Sequence, residues 1–224
     1  MFKRIRKEAK ISYAQSGEDL IVDFLLRQIH IDKPTYIDLG AHHPIYLSNT
    51  YFFYERGAHG VCVEPDPSLC SYIKRIRKKD ICLNVGVGVD DATAAKFYVM
   101  TTKTLNTFSK TEAERYQSYG TQKIENVLDI SLMKLEHIID QNFVRPPNFV
   151  SLDVEGLDFE ILKTFNFDRH RPEVLCIETI TYTENKTEKK LQDLIEFVKS
   201  RGYLVYADTY INTIFVDKTT WLNR

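Results

Sequence analysis

Hydrophobic residues along this chain fall either in short continuous runs or in stripes with helical spacing. The short runs predict five buried strands, over residues 36–39, 61–64, 81–89, 148–154 and 174–179. The stripes predict helices, over residues 18–28, 49–56, 67–79, 131–140, 159–165 and 189–201. Two further runs, 203–207 and 212–216, flank a short loop and predict a closing hairpin. Strands that alternate with helices in this way indicate one doubly wound α/β sheet.

The first two predicted strands each end in a carboxylate. The first lies in the segment YIDLGAHHP, which carries Asp38 and Gly40, and the second lies in VCVEPDP, which carries Glu64. Glu64 follows Gly40 by 24 residues. A spacing of about 20 residues separates a nucleotide-binding glycine turn from the acid that holds a ribose. The two segments therefore predict a nucleoside site. The alternative is that Asp38 is a helix N-cap and that Glu64 is an ordinary surface acid.

The residues around Gly40 narrow the choice of nucleoside. A dinucleotide site uses the glycines of G-x-G-x-x-G, whereas His42, His43 and Pro44 occupy those places here. The pattern disfavours NAD and FAD, and the absence of G-K-[ST] disfavours ATP. S-adenosylmethionine carries adenosine without phosphate, so one glycine and one acid suffice for it.

Composition sets the outer limits of the prediction. A chain of 224 residues is expected to form one domain over 1–224, with a helical lead-in region over 1–35. The net charge of −1 gives no reason to expect a nucleic acid partner, and no run of apolar residues is long enough for membrane insertion. The four cysteines lack C-x-x-C spacing, which suits reduced thiols and a cytoplasmic location. The oligomeric state stays open.

Four segments in order give the chain a family resemblance. They are YAQSGEDL at 13–20, YIDLGAHHP at 36–44, VCVEPDP at 61–67 and FVSLDVEGLDFEIL at 149–162. Over about residues 12–217 the chain resembles the FkbM family of methyltransferases. The resemblance implies a Rossmann-like class I methyltransferase fold, with a seven-stranded, mostly parallel sheet and an antiparallel closing hairpin. It also implies S-adenosylmethionine as cofactor and transfer of a methyl group to a hydroxyl of a sugar or glycan precursor.

The resemblance and the strand ends together suggest where the cofactor binds. The Gly40 turn and Asp38 are expected to hold its amino acid part, Glu64 its ribose hydroxyls and Asn84 the edge of its adenine. Asp66 is a further candidate, with an N-cap of the next helix as its alternative. The predicted cofactor contacts are Gln15, Asp38, Gly40, Ala41, Glu64, Pro65, Asp66, Asn84 and Asp153.

A hydroxyl acceptor must lose its proton during methyl transfer, so a general base is expected beside the transferred methyl group. The predicted catalytic residues are Asp153, Glu155 and His42. The alternatives are that Glu155 merely caps the following helix and that His42 is a solvated loop residue.

A divalent metal is possible but not expected. Asp153 with Glu178, at the end of the next strand, could orient an acceptor hydroxyl through Mg²⁺. Asp158 and Glu160 are expected on a solvated helix face.

Residues 101–126 form a long polar insertion before the fourth strand. Insertions over a strand-end site commonly act as lids or acceptor-binding loops, and an ordinary surface helix is the alternative. Its candidate acceptor contacts are Arg115, Tyr116 and Tyr119. The basic run KRIRKK at 74–79 is expected to be a solvated helix face.

Two other functions stay open on the sequence alone. One is a nicotinamide-dependent oxidoreductase on a related Rossmann fold, and the other is a module that binds the cofactor without catalysis. Cofactor binding and turnover separate the three possibilities.

Overall fold

The structure is a computed structural model that describes residues 9–154, 156–180 and 188–224. Its strands are β1 (Thr35–Leu39), β2 (His59–Val63), β3 (Ile81–Leu83), β4 (Gly86–Gly88), β5 (Ala94–Met100), β6 (Ile124–Lys134), β7 (Phe149–Leu152), β8 (Val174–Glu178), β9 (Tyr203–Asp208) and β10 (Asn212–Asp217). Its α-helices are α1 (Glu18–Gln28), α2 (Tyr51–Glu55), α3 (Pro67–Ile76), α4 (Lys110–Ser118), α5 (Leu135–Asn142), α6 (Asp158–Thr164), α7 (Gln192–Ser200) and α8 (Lys218–Leu222). A 3₁₀ turn spans Lys103–Leu105.

Seven strands form the central sheet in the order β3-β2-β1-β7-β8-β10-β9. The first five in this order are parallel, and β10 pairs antiparallel with both β8 and β9. The predicted mostly parallel sheet with its closing hairpin is therefore confirmed. The chain moves outward from β1 to β3 and then returns to β7 on the other side of β1. This reversal creates a crevice at the carboxyl ends of β1 and β7, the place where such sheets bind ligands.

Both faces of the sheet are covered, which explains why its strands are continuous apolar runs. Ile37 and Leu39 of β1 point into a large hydrophobic cluster beneath α5, α6 and α7. Tyr36 points the other way, into a second cluster with residues of α1 and α2. The four cysteines are free and buried. None of the described helices is both long and apolar enough to cross a membrane.

A second sheet, of order β4-β6-β5, departs from the predictions in three places. The single strand predicted over 81–89 is two strands, because the chain leaves the central sheet at Asn84 and β4 pairs with β6 instead. The helix predicted over 131–140 begins only at Leu135, since residues 131–134 complete the long strand β6. Strand β5 lies where no strand was predicted, and it pairs antiparallel with β6 over most of its length.

The basic run at 74–79 is not wholly solvated, because Arg77 is fully buried. Its Nε donates to Asp80 Oδ2 at 2.7 Å, and its Nη2 donates to the hydroxyls of Tyr36 at 3.1 Å and Thr50 at 2.9 Å. Thr50 Oγ1 in turn donates to Asp38 Oδ2 at 2.5 Å. The prediction was wrong at this residue, since one buried cation organises the polar groups beneath the end of β1.

Candidate functional site

A cavity of about 300 Å³ opens at the carboxyl ends of the parallel strands. Each of four neighbouring strands contributes a residue at its end: Gly40 after β1, Glu64 after β2, Asp153 after β7 and Glu178 at the end of β8. The sheet topology therefore brings together four residues that the sequence singled out. Gln15, His42 and Pro65, which were also predicted, line the same cavity.

The turn at Gly40 requires glycine for two reasons. Its φ is +79°, a left-handed conformation that side chains disfavour. A Cβ at this position would lie 1.8 Å from the carbonyl oxygen of Asp153. The N–H groups of Gly40 and Ala41 both donate to Val63 O, at 3.0 and 3.1 Å. The turn is thus fixed between β2 and β7.

Glu64 is a buried carboxyl group in the wall of the cavity. Its Oε2 accepts the backbone N–H of His42, and its Oε1 accepts the N–H of Asp66, both at 2.8 Å. Burial raises the pKa of Glu64 to about 8, although these two hydrogen bonds oppose the rise. Because each carboxylate oxygen has two lone pairs, the ionised group could also accept two ligand hydroxyls.

Asp153 is a second acid in the wall of the cavity. It follows β7, where its N–H donates to Leu39 O at 3.1 Å, and it lines the cavity. No hydrogen bond from the described residues reaches its carboxylate. Burial, with the nearby carboxylates of Asp158, Asp38 and Glu18, raises the pKa of Asp153 to about 7. Such a group can accept a proton near neutral pH.

His42 also lines the cavity, in the left-handed conformation with φ +50°. Burial and the neighbouring His43 lower its pKa. The imidazole is therefore neutral near pH 7 and could accept a proton or a hydrogen bond.

Asp158 corrects the prediction of a solvated face on α6. It is only 3% exposed, and its carboxylate accepts the N–H groups of Val154 at 3.1 Å and Gly156 at 3.3 Å. Burial raises its pKa to about 6. It therefore holds the turn between β7 and α6. Glu160 is exposed, as predicted, whereas Glu155 lies outside the described residues.

Among the other predicted cofactor contacts, Asp38 and Ala41 do not line the cavity. Asp38 lies beneath it, bound to Thr50, and burial raises its pKa while Arg77 opposes the rise. Its position favours a supporting role for the end of β1.

Asn84 and Asp66 likewise lie behind the cavity wall. The amide of Asn84 donates to the carbonyl oxygens of Glu64 and Pro65, at 2.9 and 2.8 Å, and so fixes the end of β2. Asp66 is the N-cap of α3, since its Oδ1 accepts the N–H of Ser68 at 2.8 Å. The N-cap alternative for Asp66 is thus confirmed.

Two buried acids of the segment YAQSGEDL hold the lead-in loop against the site. Asp19 accepts the N–H of Tyr13 at 2.7 Å, and Glu18 accepts the N–H of Ser16 at 2.8 Å. Glu18 also accepts the hydroxyl of Thr209 at 2.7 Å, in the loop before β10. This arrangement places Gln15 in the cavity wall.

The insertion contributes to the cavity through different residues from those predicted. Tyr116 is buried in a small core of the insertion, Arg115 pairs with Glu112, and neither they nor Tyr119 line the cavity. The insertion residues that do line it are Lys103, Thr104, Leu105, Asn106 and Phe108.

The apolar part of the wall was also missed by sequence reasoning. It includes Val85, Val87, Phe97, Leu157, Ile161, Ile180 and Ile211. The alternation of residues along β5 could have placed Phe97 on an inward face. Nothing in the polar insertion marks its own cavity-lining residues.

The described residues contain no group of three or more His, Cys, Asp or Glu side chains that could hold a metal ion. Asp153 and Glu178 both line the cavity, and a divalent cation bound between them stays a prediction.

Comparison with known proteins gives the family. The family model described as the methyltransferase FkbM domain matches residues 38–205, and no curated protein matches. Among similar solved structures is precorrin-6y C5,15-methyltransferase from Geobacter metallireducens, at 12% identity over 93% of this chain and 92% of that one, with a TM-score of 0.44. Another is an O-methyltransferase from Bacillus cereus in complex with SAH, at 9% identity over 92% and 81%, with a TM-score of 0.45. Because the family model spans most of the chain, the protein belongs to the FkbM methyltransferase family and has its Rossmann-like class I methyltransferase fold.

Proposed function

We propose that this methyltransferase uses S-adenosylmethionine to methylate a hydroxyl group of a sugar or glycan precursor. The observation that supports transfer to oxygen is Asp153, a residue of the cavity wall whose carboxyl group has a pKa raised to about 7. A hydroxyl must lose a proton as it is methylated, and a base with a pKa near the working pH is efficient.

The residues of the cavity fit the chemistry of S-adenosylmethionine. When bound, this molecule supplies an electrophilic methyl group on a sulfonium. Glu64 is suited to the ribose hydroxyls, because its carboxylate retains acceptor capacity beyond its two backbone partners. Gly40 lines the cavity without a side chain, which leaves space for the amino acid part, and the apolar wall suits an adenine ring.

The proposed reaction asks little of the protein beyond alignment and one proton transfer. With S-adenosylmethionine bound, the acceptor oxygen would bond to the methyl carbon as the methyl–sulfur bond breaks, which leaves S-adenosylhomocysteine. Asp153 would accept the hydroxyl proton, and the cavity walls would align the reacting atoms. Gln15 and Glu178 also line the cavity and can hydrogen-bond the hydroxyls of a saccharide. The saccharide itself is suggested by the family resemblance.

Membership of a methyltransferase family argues against the oxidoreductase alternative. An assay of turnover distinguishes a methyltransferase from a module that binds the cofactor without catalysis. Calorimetric titration with S-adenosylmethionine, S-adenosylhomocysteine and NADH, with and without Mg²⁺, comes first. We expect both methionine-derived ligands to bind, Glu64→Ala to weaken them and NADH not to bind. Preference for NADH would overturn the proposal.

Methyl transfer to a panel of neutral saccharides then tests the role of Asp153. We expect Asp153→Asn to lower kcat by about 10²-fold or more, as for loss of a general base, with little change in S-adenosylhomocysteine affinity. Glu160→Gln, an exposed acid nearby, is the matched control. Equal turnover by wild type and Asp153→Asn would refute the assignment, and binding without any turnover would favour the non-catalytic module.

A further inference from the structure

A chain of hydrogen bonds joins the insertion to the acid proposed to hold the ribose. Asn106 accepts the N–H of Met100 through Oδ1 at 2.8 Å, and its Nδ2 donates to Asp66 Oδ2 at 3.2 Å. The N–H of Asp66 donates to Glu64 Oε1, and Glu64 Oε2 accepts the N–H of His42. The conformation of the insertion is thereby coupled to Glu64 and to the turn that follows β1.

The two carboxylate oxygens of Asp66 accept hydrogen bonds from different parts of the chain. Oδ1 accepts the N–H and the hydroxyl of Ser68 at the start of α3, at 2.8 and 2.6 Å. Oδ2 faces Asn106. Asp66 is only 4% exposed, so a missing donor from Asn106 would leave a buried carboxylate oxygen poorly satisfied.

The insertion meets the cavity at one end of it. The ring of Phe108 packs so closely on β4 that a Cβ on Gly86 would lie 2.4 Å from its Cζ. Asn106 contacts the segment that follows β2. Glu178, at the end of β8, stands three strand positions from β2, which is about 14 Å at the usual strand spacing of about 4.8 Å. Through Asn106, the cavity-lining segment of the insertion is therefore attached on the β2 side of the cavity, where Glu64 lies.

We propose that Asn106 is a positioning residue for the adenosine end of the methyl donor. It holds the segment 103–108 against Asp66 and so fixes Glu64 for the ribose. The insertion then encloses adenosine, and the acceptor is bound at the opposite end, near Gln15 and Glu178. This inference rests on the proposed function, because it requires that the cavity bind S-adenosylmethionine.

The most selective test is Asn106→Asp. This change keeps the size of the side chain and an oxygen for the N–H of Met100, and it replaces the donor to Asp66 with a second acceptor. Asn126→Asp is the matched control, since Asn126 belongs to the same insertion and is exposed. The ligands are S-adenosylhomocysteine and 5′-methylthioadenosine, which has the adenosine and the thioether but lacks the amino acid part.

We expect Asn106→Asp to weaken both ligands by the same factor, at least about tenfold, because a hydrogen bond to a charged group is lost and two carboxylates face each other. Asn126→Asp should bind like wild type. The ratio of the Asn106→Asp and wild-type Kd values should shrink as the pH falls, since two facing carboxyl groups can share a proton. If Asn106→Asp merely disturbed the fold, the ratio of its Kd to the wild-type Kd would not return toward one at low pH.

Asn106→Ser provides a second variant, which removes the amide without adding charge. It should weaken both ligands equally, with a ratio to wild type that does not vary with pH. Unchanged affinity in both Asn106 variants would overturn the inference, as would weaker binding of S-adenosylhomocysteine alone. If wild type binds neither ligand, the proposed function fails and this inference fails with it.

Discussion

Glu64 should release a proton when the cavity binds S-adenosylhomocysteine. In the free protein burial raises the pKa of Glu64 to about 8, so at pH 7 roughly nine-tenths of the molecules carry the neutral acid. Ribose hydroxyls donate to the ionised form and favour it, which lowers the pKa in the complex. Binding near neutral pH is therefore coupled to ionisation of this one group.

The magnitude follows from the pKa of the free protein. With ionised Glu64 as the binding form, about 0.9 proton is released per ligand at pH 7. The apparent affinity then rises about tenfold between pH 7 and pH 9, where the free carboxyl becomes fully ionised. This factor corresponds to about 1.4 kcal/mol of binding free energy.

The assay is calorimetry at pH 7 in two buffers that differ in ionisation enthalpy, because the difference in heat counts the protons released. Glu64→Gln should abolish the release, and the exposed-site variant Glu160→Gln should retain it. Affinity alone is a poorer criterion, since glutamine offers only one oxygen to the N–H groups of His42 and Asp66. Tight binding by wild type with no proton release would refute the reasoning.

Three further predictions concern the scaffold of the site. Gly40→Ala, whose Cβ would meet Asp153 O at 1.8 Å, should cost about 3 kcal/mol or more in a urea titration. Gly120 also has a positive φ, +81°, but a Cβ added there would meet no atom within 4 Å, so Gly120→Ala should lower the free energy of unfolding by only about 1 kcal/mol. Equal losses of stability in the two variants would contradict the argument from close approach at Gly40. Arg77→Ala should destabilise by about 3–5 kcal/mol, because it leaves Asp80 buried without its cation, and a loss under about 1 kcal/mol would be contrary evidence. Because the pKa of Asp153 is raised in the folded protein, its contribution to stability is present below about pH 4 and is lost as the pH rises through about 7. The Tm of Asp153→Asn should therefore increase relative to that of wild type over this pH range. A Tm difference that does not change with pH would contradict this prediction.

The strands and their terminal residues were the most predictable part of the molecule. Strands buried on both faces are nearly continuous apolar runs, so β1, β2, β7 and β8 stand out in the sequence. Chain topology then requires that Gly40, Glu64 and Asp153 meet, because parallel strands end at the same edge of the sheet. Asp66 before Pro67 likewise carries a local signal for the start of α3.

The parts that were missed depend on partners distant in sequence or on geometry that has no local signal. Arg77 lies in a run of basic residues, and only the fold shows that Asp80, Tyr36 and Thr50 surround it. Asp158 has the helical position of a solvated acid, yet it turns back to bind the preceding loop.

The roles of residues in the insertion also depend on contacts that have no local signal in the sequence. Aromatic residues of polar insertions are reasonable candidates for substrate contact, but Tyr116 is used to build the insertion's own core. The contact that does reach the site, from Asn106 to Asp66, joins residues that are 40 positions apart in the sequence.

The crystal structure of the protein with S-adenosylhomocysteine would test the central claim most directly. We predict that the ligand fills the cavity at the ends of β1, β2 and β7, with its ribose hydroxyls within hydrogen-bond distance of Glu64 and its sulfur on the side of Asp153. A ligand bound elsewhere, or a ribose that has no contact with Glu64, would contradict the account.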